Sequence, residues 1–239
     1  MNNPVTSALT EPESFVSRLL SPVLYRRAQV AAKQQLAPGL YHIRLQGPQL
    51  CHQSWNCGDK IQIKVASTLV NRTYTPIRWD AQLGETDFIA HSLADGPGSL
   101  WVSSVQVGQE VLLFGPRRSL NVSKLDATKT VLVGDETAIG LAMAFKPAHT
   151  LLELAGAQQL KPILTALGLS NFSLFERDLS SGLPADLIQN LLDNTNPSVL
   201  LAGRSASVKQ LQKQLRELNK PAATLLSKVY WADGKTGLD

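Results

Sequence analysis

The chain has 239 residues, which is long enough for two modest domains that each bury a hydrophobic core. Its hydrophobic fraction of 44% and charged fraction of 18% are ordinary for a globular protein and exclude a disordered chain. The net charge of +4 is mild and dispersed, and no basic run is interleaved with aromatic residues, so nucleic acid is not an expected partner.

Targeting and metal-binding signals are both weak. Residues 1–13 lack a basic cluster followed by an apolar run, and no stretch approaches the length of a membrane span. We expect a cytoplasmic protein, a monomer, without a signal peptide or membrane segment. Cys51, His52 and Cys57 supply three potential ligands, but a fourth at normal spacing is missing, so we expect reduced thiols and no metal.

The first half of the chain is predicted to consist of short strands. A polar lead over residues 1–12 precedes a short helix over 13–20, and strands over 26–36 and 40–45 flank a turn at Pro38-Gly39. Further strand patterns, each bounded by Gly, Pro, Asn or Asp, lie at 60–65, 73–79, 86–91 and 110–114. Several short strands before any long helix predict an antiparallel barrel.

From residue 130 onward, apolar strands alternate with helices. Continuous apolar runs, expected of strands covered on both faces, lie at 131–133, 150–154, 172–175 and 199–201. Helices are predicted over 139–145, 160–167, 184–192 and 207–218. The pattern indicates a mostly parallel sheet with helices. With a boundary near 125–129, the expected domains are 16–127 and 128–239.

A first candidate binding motif is the segment 71–78, Asn-Arg-Thr-Tyr-Thr-Pro-Ile-Arg. The preceding run, 61–65, alternates apolar and polar residues and predicts a half-buried strand that delivers Arg72 and Tyr74 to a fixed edge. The Arg72 guanidinium can bind a phosphate through two parallel hydrogen bonds. Tyr74, two residues later on a strand, faces the same side, and the Thr75 hydroxyl can reach the polar edge of a ring. These are handles for a flavin nucleotide, or, alternatively, solvated surface residues.

A second motif, residues 87–101, is a strand that runs into a glycine-rich turn and then a short helix. Gly96 and Gly98 let the backbone approach a ligand closely, and the N–H groups that open a helix form a site for an anion such as a pyrophosphate. A simple turn is the alternative interpretation of Gly-Pro-Gly. The segments 111–118 and 131–138 follow in order.

This ordered set of segments resembles the siderophore-interacting protein family, the flavin-dependent ferric-siderophore reductases of the ferredoxin-reductase-like superfamily. The resemblance extends from Val23 to Trp231 and includes the Tyr230-Trp231 pair. It implies a β-barrel plus α/β fold class: an N-terminal antiparallel FAD-binding barrel, followed by a mostly parallel α/β domain of the nicotinamide-reductase type.

The resemblance also implies which residues bind FAD. It assigns phosphate contact to Arg72, ring stacking to Tyr74 and an isoalloxazine hydrogen bond to Thr75, and it places His91 near the adenosine or the ring system. The full implied set is Arg72, Tyr74, Thr75, Pro76, Phe88, Ile89, His91, Gly96, Pro97, Gly98, Ser99, Trp101, Asp135, Thr137 and Ala138. The family commonly has alanine in place of Gly98.

The junction at 134–140 is open to two interpretations. In the family, Asp135, Thr137 and Ala138 face the flavin and the presumed nicotinamide site, at the strand ends where open α/β sheets bind ligands. Alternatively, Asp135 and Thr137 only cap a helix. The segment is not a Gly-x-Gly-x-x-Gly fingerprint, so the usual Rossmann mode of dinucleotide binding is not indicated.

For the iron chelate, the family places three basic residues beside the flavin. Lys60 and Arg117 occupy two of these positions, whereas Leu226 occupies the third, with Lys228 as a candidate replacement. Arg204 is a second departure, because the family usually has glutamate there. An arginine at this position either binds the 2′-phosphate of NADPH or is a loop residue without a binding role.

The function implied is an FAD-dependent ferric-siderophore reductase that passes one electron to chelated Fe(III) and so releases Fe(II) in iron acquisition. No catalytic side chain is required, because the flavin carries the chemistry. The electron donor is NAD(P)H or reduced ferredoxin, which makes ferredoxin a candidate partner beside the siderophore substrate. The alternatives are a general NAD(P)H–ferredoxin or flavodoxin reductase and a flavoprotein that binds ferric chelates without turnover.

Overall fold

A computed structural model gives the structure of residues 25–66, 70–92, 96–177, 197–217 and 222–235. The predicted helices over 13–20 and 184–192 lie outside these residues. No helix in the described ranges has both the length and the apolar composition needed to cross a bilayer.

The N-terminal half forms an antiparallel sheet, as predicted. Its described strands are β1 (Arg26–Ala37), β2 (Leu40–Gln46), β3 (Lys60–Lys64), β4 (Asn71–Tyr74), β5 (Pro76–Asp80), β6 (Glu85–His91) and β7 (Glu110–Arg117). Their order is β4-β3-β7-β1-β2-β6-β5, and each hydrogen-bonded pair is antiparallel. A helix, α1 (Pro97–Ser104), follows β6.

The segment predicted as one strand over 73–79 is instead two strands, β4 and β5, separated by Thr75. Pro76 explains the break, because proline has no N–H for the ladder and restricts the backbone of the residue before it. β4 and β5 are the opposite edges of the sheet, although one residue separates them along the chain. The sheet is therefore rolled into a barrel whose two edges meet at Thr75, which we call the barrel seam.

Apolar residues that alternate along the strands fill the barrel. Ile61 and Ile63 of β3 and Phe88 of β6 are fully buried. Each such side chain contributes about 1.5–3 kcal/mol to the stability of the fold. Gln62, which alternation places on the outer face of β3, is also buried, and Arg117 donates a hydrogen bond to its side chain. β3 is thus buried on both faces and not half-buried as predicted.

The C-terminal half forms a parallel sheet with helices, also as predicted. Its described strands are β8 (Thr130–Gly134), β9 (His149–Leu154), β10 (Phe172–Glu176), β11 (Ser198–Arg204) and β12 (Leu225–Trp231), in the order β10-β9-β8-β11-β12. All four pairings are parallel. The described helices are α2 (Ile139–Phe145), α3 (Ala157–Ala166) and α4 (Ser205–Glu217).

Strand β12 is absent from the sequence prediction. It lies at the edge of the sheet beside β11, and its residues are half-buried or exposed. An edge strand of this kind mixes Ser227 and Lys228 with apolar residues and so lacks the continuous apolar run used to predict the other parallel strands.

The two halves of the chain share a hydrophobic core. One cluster of buried residues combines Leu40 and Ile89 of the barrel with Ile139 and Leu141 of α2. A second cluster lies on α4, where the spacing of the buried residues Val208, Leu211 and Leu215 creates one apolar face. Helix α2 is therefore the element that fixes the parallel sheet against the outside of the barrel, next to the seam.

Candidate functional site

A cavity of about 620 Å³ lies at the barrel seam, between the barrel and the end of the parallel sheet. This volume is within the range of about 300–1,000 Å³ typical of small-molecule sites. Strands β4 and β6, the first turn of α1, the segment from β8 into the start of α2, and the end of β12 with the chain after it supply its walls. The lining residues are Arg72, Thr73, Tyr74, Thr75, Ile89, His91, Gly96, Gly98, Ser99, Thr137, Gly140 and the segment 230–235.

Arg72 lies on edge strand β4, and its side chain crosses the first turn of α1. One guanidinium nitrogen, Nη1, donates to the Asn71 carbonyl oxygen at 2.7 Å. A Cβ atom on Gly98 would be 2.8 Å from Arg72 Cγ, so a side chain at this position would require the Arg72 side chain to shift. No side chain caps α1 at Gly96. The guanidinium and a helix N-terminus thus lie side by side at one end of the cavity, as an anion-binding pair.

Tyr74 is held by two other aromatic rings. Its ring centroid is 4.7 Å from that of Phe88 and 5.9 Å from that of Trp101. Burial raises the pKa of Tyr74 well above its ordinary value, so the phenol remains neutral. Phe88 and Trp101 lie in the barrel core behind Tyr74 and do not line the cavity themselves. Their position fixes the orientation of the Tyr74 ring.

Thr75 at the barrel seam is joined to the end of the chain by a hydrogen bond. Its Oγ1 atom is 3.0 Å from the hydroxyl oxygen of Tyr230. Burial raises the pKa of Tyr230 to about 12, and the bond to Thr75 opposes this only in part. The Tyr230–Thr75 bond therefore joins the parallel sheet to the barrel at the cavity, and its phenol is neutral.

His91 ends β6 and lines the cavity. Burial lowers its pKa to about 4, although the nearby Asp135 carboxylate acts in the opposite direction. The imidazole is consequently neutral at physiological pH. A neutral imidazole can donate one hydrogen bond and accept another, which suits a polar heterocycle better than a second anion.

Asp135 is buried behind the cavity and ties together the ends of three strands. One of its carboxylate oxygens accepts hydrogen bonds from the backbone N–H and hydroxyl of Thr137. The other accepts from the Arg204 backbone N–H and from Trp231 Nε1, both at 2.8 Å. The capping interpretation of Asp135 is thus observed, and its carboxylate also links β8 to β11 and β12.

Some of the predicted cofactor-binding residues lie behind the cavity wall. Besides Phe88, Trp101 and Asp135, these are Pro76 at the start of β5, Pro97 at the start of α1, and the fully buried Ala138. The sequence interpretation, in turn, did not include Thr73, Gly140 or the segment 230–235 as lining residues. The Tyr230-Trp231 pair was the one sequence signal that pointed to that segment.

Arg204 is engaged in an ion pair with the chain after β12. Its Nε and Nη2 atoms donate to the two carboxylate oxygens of Asp233 at 2.9–3.2 Å. Its guanidinium also lies 5.8 Å from the centre of the Trp231 ring. Arg204 is therefore neither a free loop residue nor an isolated cation, because it holds the segment after Trp231 against the sheet.

Lys60 and Arg117 face each other across β3 and β7, as neighbours in the strand pairing. Arg117 donates to Gln62, and its guanidinium lies 4.1 Å from the centre of the Phe114 ring. Lys228 lies on β12, two residues from Leu226, which packs against the shared core. None of the three basic residues lines the 620 Å³ cavity, so they belong to a different surface from Arg72.

Comparison with known protein families gives one match. Residues 62–120 match the model of the siderophore-interacting FAD-binding domain. The resemblance to siderophore-interacting proteins is confirmed. The matched residues include both the Arg72 segment and the first turn of α1, which lie together at one end of the cavity. A comparison with curated protein sequences finds no match.

Solved structures similar to this chain include two proteins of that kind. A siderophore utilization protein from T. fusca has a TM-score of 0.69 at 21% identity, covering 90% of this chain and 95% of that protein. The siderophore-interacting protein SipS from Aeromonas hydrophila has a TM-score of 0.69 at 20% identity, with 89% and 93% covered.

A reductase from outside the siderophore-interacting proteins is also similar. Phthalate dioxygenase reductase, which transfers electrons from pyridine nucleotides to a [2Fe-2S] centre, has a TM-score of 0.72 at 15% identity, covering 88% of this chain and 70% of that one. At these identities the likeness establishes the fold. The chain therefore has the two-part, ferredoxin-reductase-like architecture.

Proposed function

We propose that the protein binds FAD in the cavity at the barrel seam and uses it to reduce ferric siderophores. The observation that carries the proposal is the arrangement of the cavity itself. The Arg72 guanidinium and the uncapped start of α1 form one positively charged end that can bind an anion, whereas Tyr74 and the neutral His91 line the wall. This distribution fits a dinucleotide with a diphosphate and an aromatic ring system.

The residues of the chain bind and orient the cofactor. Arg72 and the first turn of α1 hold the diphosphate, and Tyr74, supported by Phe88, presents its ring to the isoalloxazine. Thr75 and Tyr230 supply hydroxyl groups at the seam. Bound FAD supplies the electron-transfer chemistry, which side chains cannot provide.

A ferric siderophore is the proposed electron acceptor. Support comes from the family match, whose domain is siderophore-interacting, and from the presence of Lys60, Arg117 and Lys228 outside the cofactor cavity. Many ferric chelates are anionic, and fixed positive charges attract such ligands from solution. The proposed donor is NAD(P)H or reduced ferredoxin. The similarity to phthalate dioxygenase reductase favours a pyridine nucleotide.

Anaerobic mixing of the reduced protein with a ferric siderophore tests the proposal. We expect rapid oxidation of the flavin and the appearance of Fe(II), trapped as a coloured complex by a ferrous chelator. The Ga(III) complex of the same siderophore is the matched control, because it has the same shape and charge but cannot be reduced. Oxidation without Fe(II), or no oxidation at all, would contradict the proposed reaction.

A further inference from the structure

The residues after β12 fold back over the cofactor cavity. Residues 232–235, here called the C-terminal turn, all line it together with Arg72 of the barrel. The Lys235 backbone N–H donates to the Ala232 carbonyl oxygen at 3.2 Å and closes the turn. Lys235 thereby brings a second basic side chain to the cavity, from the parallel sheet rather than the barrel.

Two connected contacts hold the C-terminal turn on the sheet. At its start, Trp231 Nε1 donates to Asp135, which also accepts from the Arg204 backbone N–H. Within the turn, Asp233 receives the Arg204 guanidinium through both carboxylate oxygens. The Arg204 side chain is only 15% exposed, so this ion pair is protected from solvent on one side.

The ionisable side chains that line the cavity give it a net positive charge. Its ionisable lining residues, other than the neutral tyrosines, are Arg72, His91, Asp233 and Lys235. His91 is neutral at physiological pH, and the Asp233 charge is offset by Arg204. Arg72 and Lys235 remain, one cation from each half of the chain. A ligand with two negative charges, such as a diphosphate, matches this balance.

We infer that Lys235 is a second phosphate-binding residue, which meets the diphosphate held by Arg72, and that the Arg204–Asp233 pair positions it. This inference rests on the proposed function, because it takes FAD as the occupant of the cavity. It gives Arg204 a role that acts through the C-terminal turn. The cofactor site would then consist of residues from both the barrel and the segment that follows the last strand.

The expected contribution of Lys235 is moderate. Its ammonium is a flexible point charge on an exposed residue, so it acts by screened attraction more than by fixed hydrogen bonds. Its loss should weaken FAD binding by about three- to tenfold at low salt, and by less at high salt. Lys235→Arg keeps the charge and should retain most of the affinity.

Titration of the flavin-free full-length protein with FAD and with riboflavin tests the role of Lys235. Riboflavin has the same ring system without a phosphate, so Lys235→Gln should weaken FAD and leave riboflavin unchanged. Lys209→Gln is the control, because Lys209 is exposed on α4 and does not line the cavity. Unchanged FAD affinity in Lys235→Gln, or an equal loss for both ligands, overturns the inference.

A cycle of variants tests the positioning role of the ion pair. The combined substitution of Arg204→Gln and Asp233→Asn removes the pair without changing the net charge. It should weaken FAD about as much as Lys235→Gln, and adding Lys235→Gln to it should cause little further loss. If the triple variant instead lost FAD affinity by the product of the two separate factors, the Arg204–Asp233 pair would not act through Lys235. Wild-type protein that binds neither flavin would instead refute the proposed function.

Discussion

Replacing His91 with glutamine is expected to remove a pH dependence of folding that the buried imidazole creates. Burial lowers the pKa of His91 to about 4 in the folded protein, from an ordinary value of 6.5. Between these values the unfolded chain binds a proton that the folded protein does not bind. Protonation therefore favours the unfolded chain in this range. The free energy of unfolding is unaffected by His91 above pH 6.5 and decreases as the pH falls from 6.5 toward 4.

The two pKa values set the size of the effect. One pH unit corresponds to about 1.4 kcal/mol for a group that is protonated only in the unfolded state. Relative to pH 8, His91 should therefore lower the free energy of unfolding by roughly 1 kcal/mol at pH 5.5 and by roughly 2–3 kcal/mol at pH 4.5. The neutral side chain of His91→Gln lacks this component.

Urea unfolding followed by tryptophan fluorescence, at several pH values from 8 to 4.5, measures the difference. The control is His52→Asn, which removes an exposed histidine that does not line the cavity. Protonation of other groups changes wild type and variant alike, so the comparison isolates His91. If the free energy of unfolding decreased equally with pH in wild type and in His91→Gln, the reasoning would be refuted. The His91 imidazole would then bind protons equally well in the folded and the unfolded protein.

Three further predictions concern ligands. Arg72→Ala should raise the FAD dissociation constant by about ten- to a hundredfold in a fluorescence titration and leave the fold intact, since charged hydrogen bonds contribute about 1.5–3 kcal/mol. Gly98→Ala places a Cβ about 2.8 Å from the flexible side chain of Arg72, which can shift, so it should weaken FAD far less than Arg72→Ala in the same titration; an equal loss would contradict this. Lys60→Ala and Arg117→Ala should weaken an anionic ferric catecholate, most clearly at low salt, but not a neutral ferric hydroxamate; equal losses for both chelates would contradict this.

The sequence predicted the elements that have a strong local pattern. Helix α2 has the predicted bounds, 139–145, because an uninterrupted apolar helix follows a polar cap at Asp135. The Arg72 segment and the glycine turn at 96–98 were found because both motifs are contiguous. The break between β4 and β5 at Thr75 was not predicted, since the segment 73–79 has a continuous strand pattern and the place of its two parts at opposite edges of the sheet depends on distant strands.

The other side of the cavity could not be predicted from local patterns. The bond between Thr75 and Tyr230 joins residues 155 positions apart, and the partner of Arg204 lies 29 residues away on a short turn. Neither contact leaves a periodic signal in the chain. The interpretation of Arg204 needed its partner, Asp233, which only the folded arrangement of β11 and β12 supplies.

The bond between the barrel seam and Tyr230 also has a consequence for the order in which the site is completed. A chain emerges from the ribosome from its N-terminus, and its N-terminal part generally folds first. The barrel wall with Arg72 and Tyr74 is therefore synthesised long before Tyr230 and the C-terminal turn. During synthesis the nascent barrel presents half of the proposed cofactor site, and the cavity acquires its second wall only after residue 235 has been added.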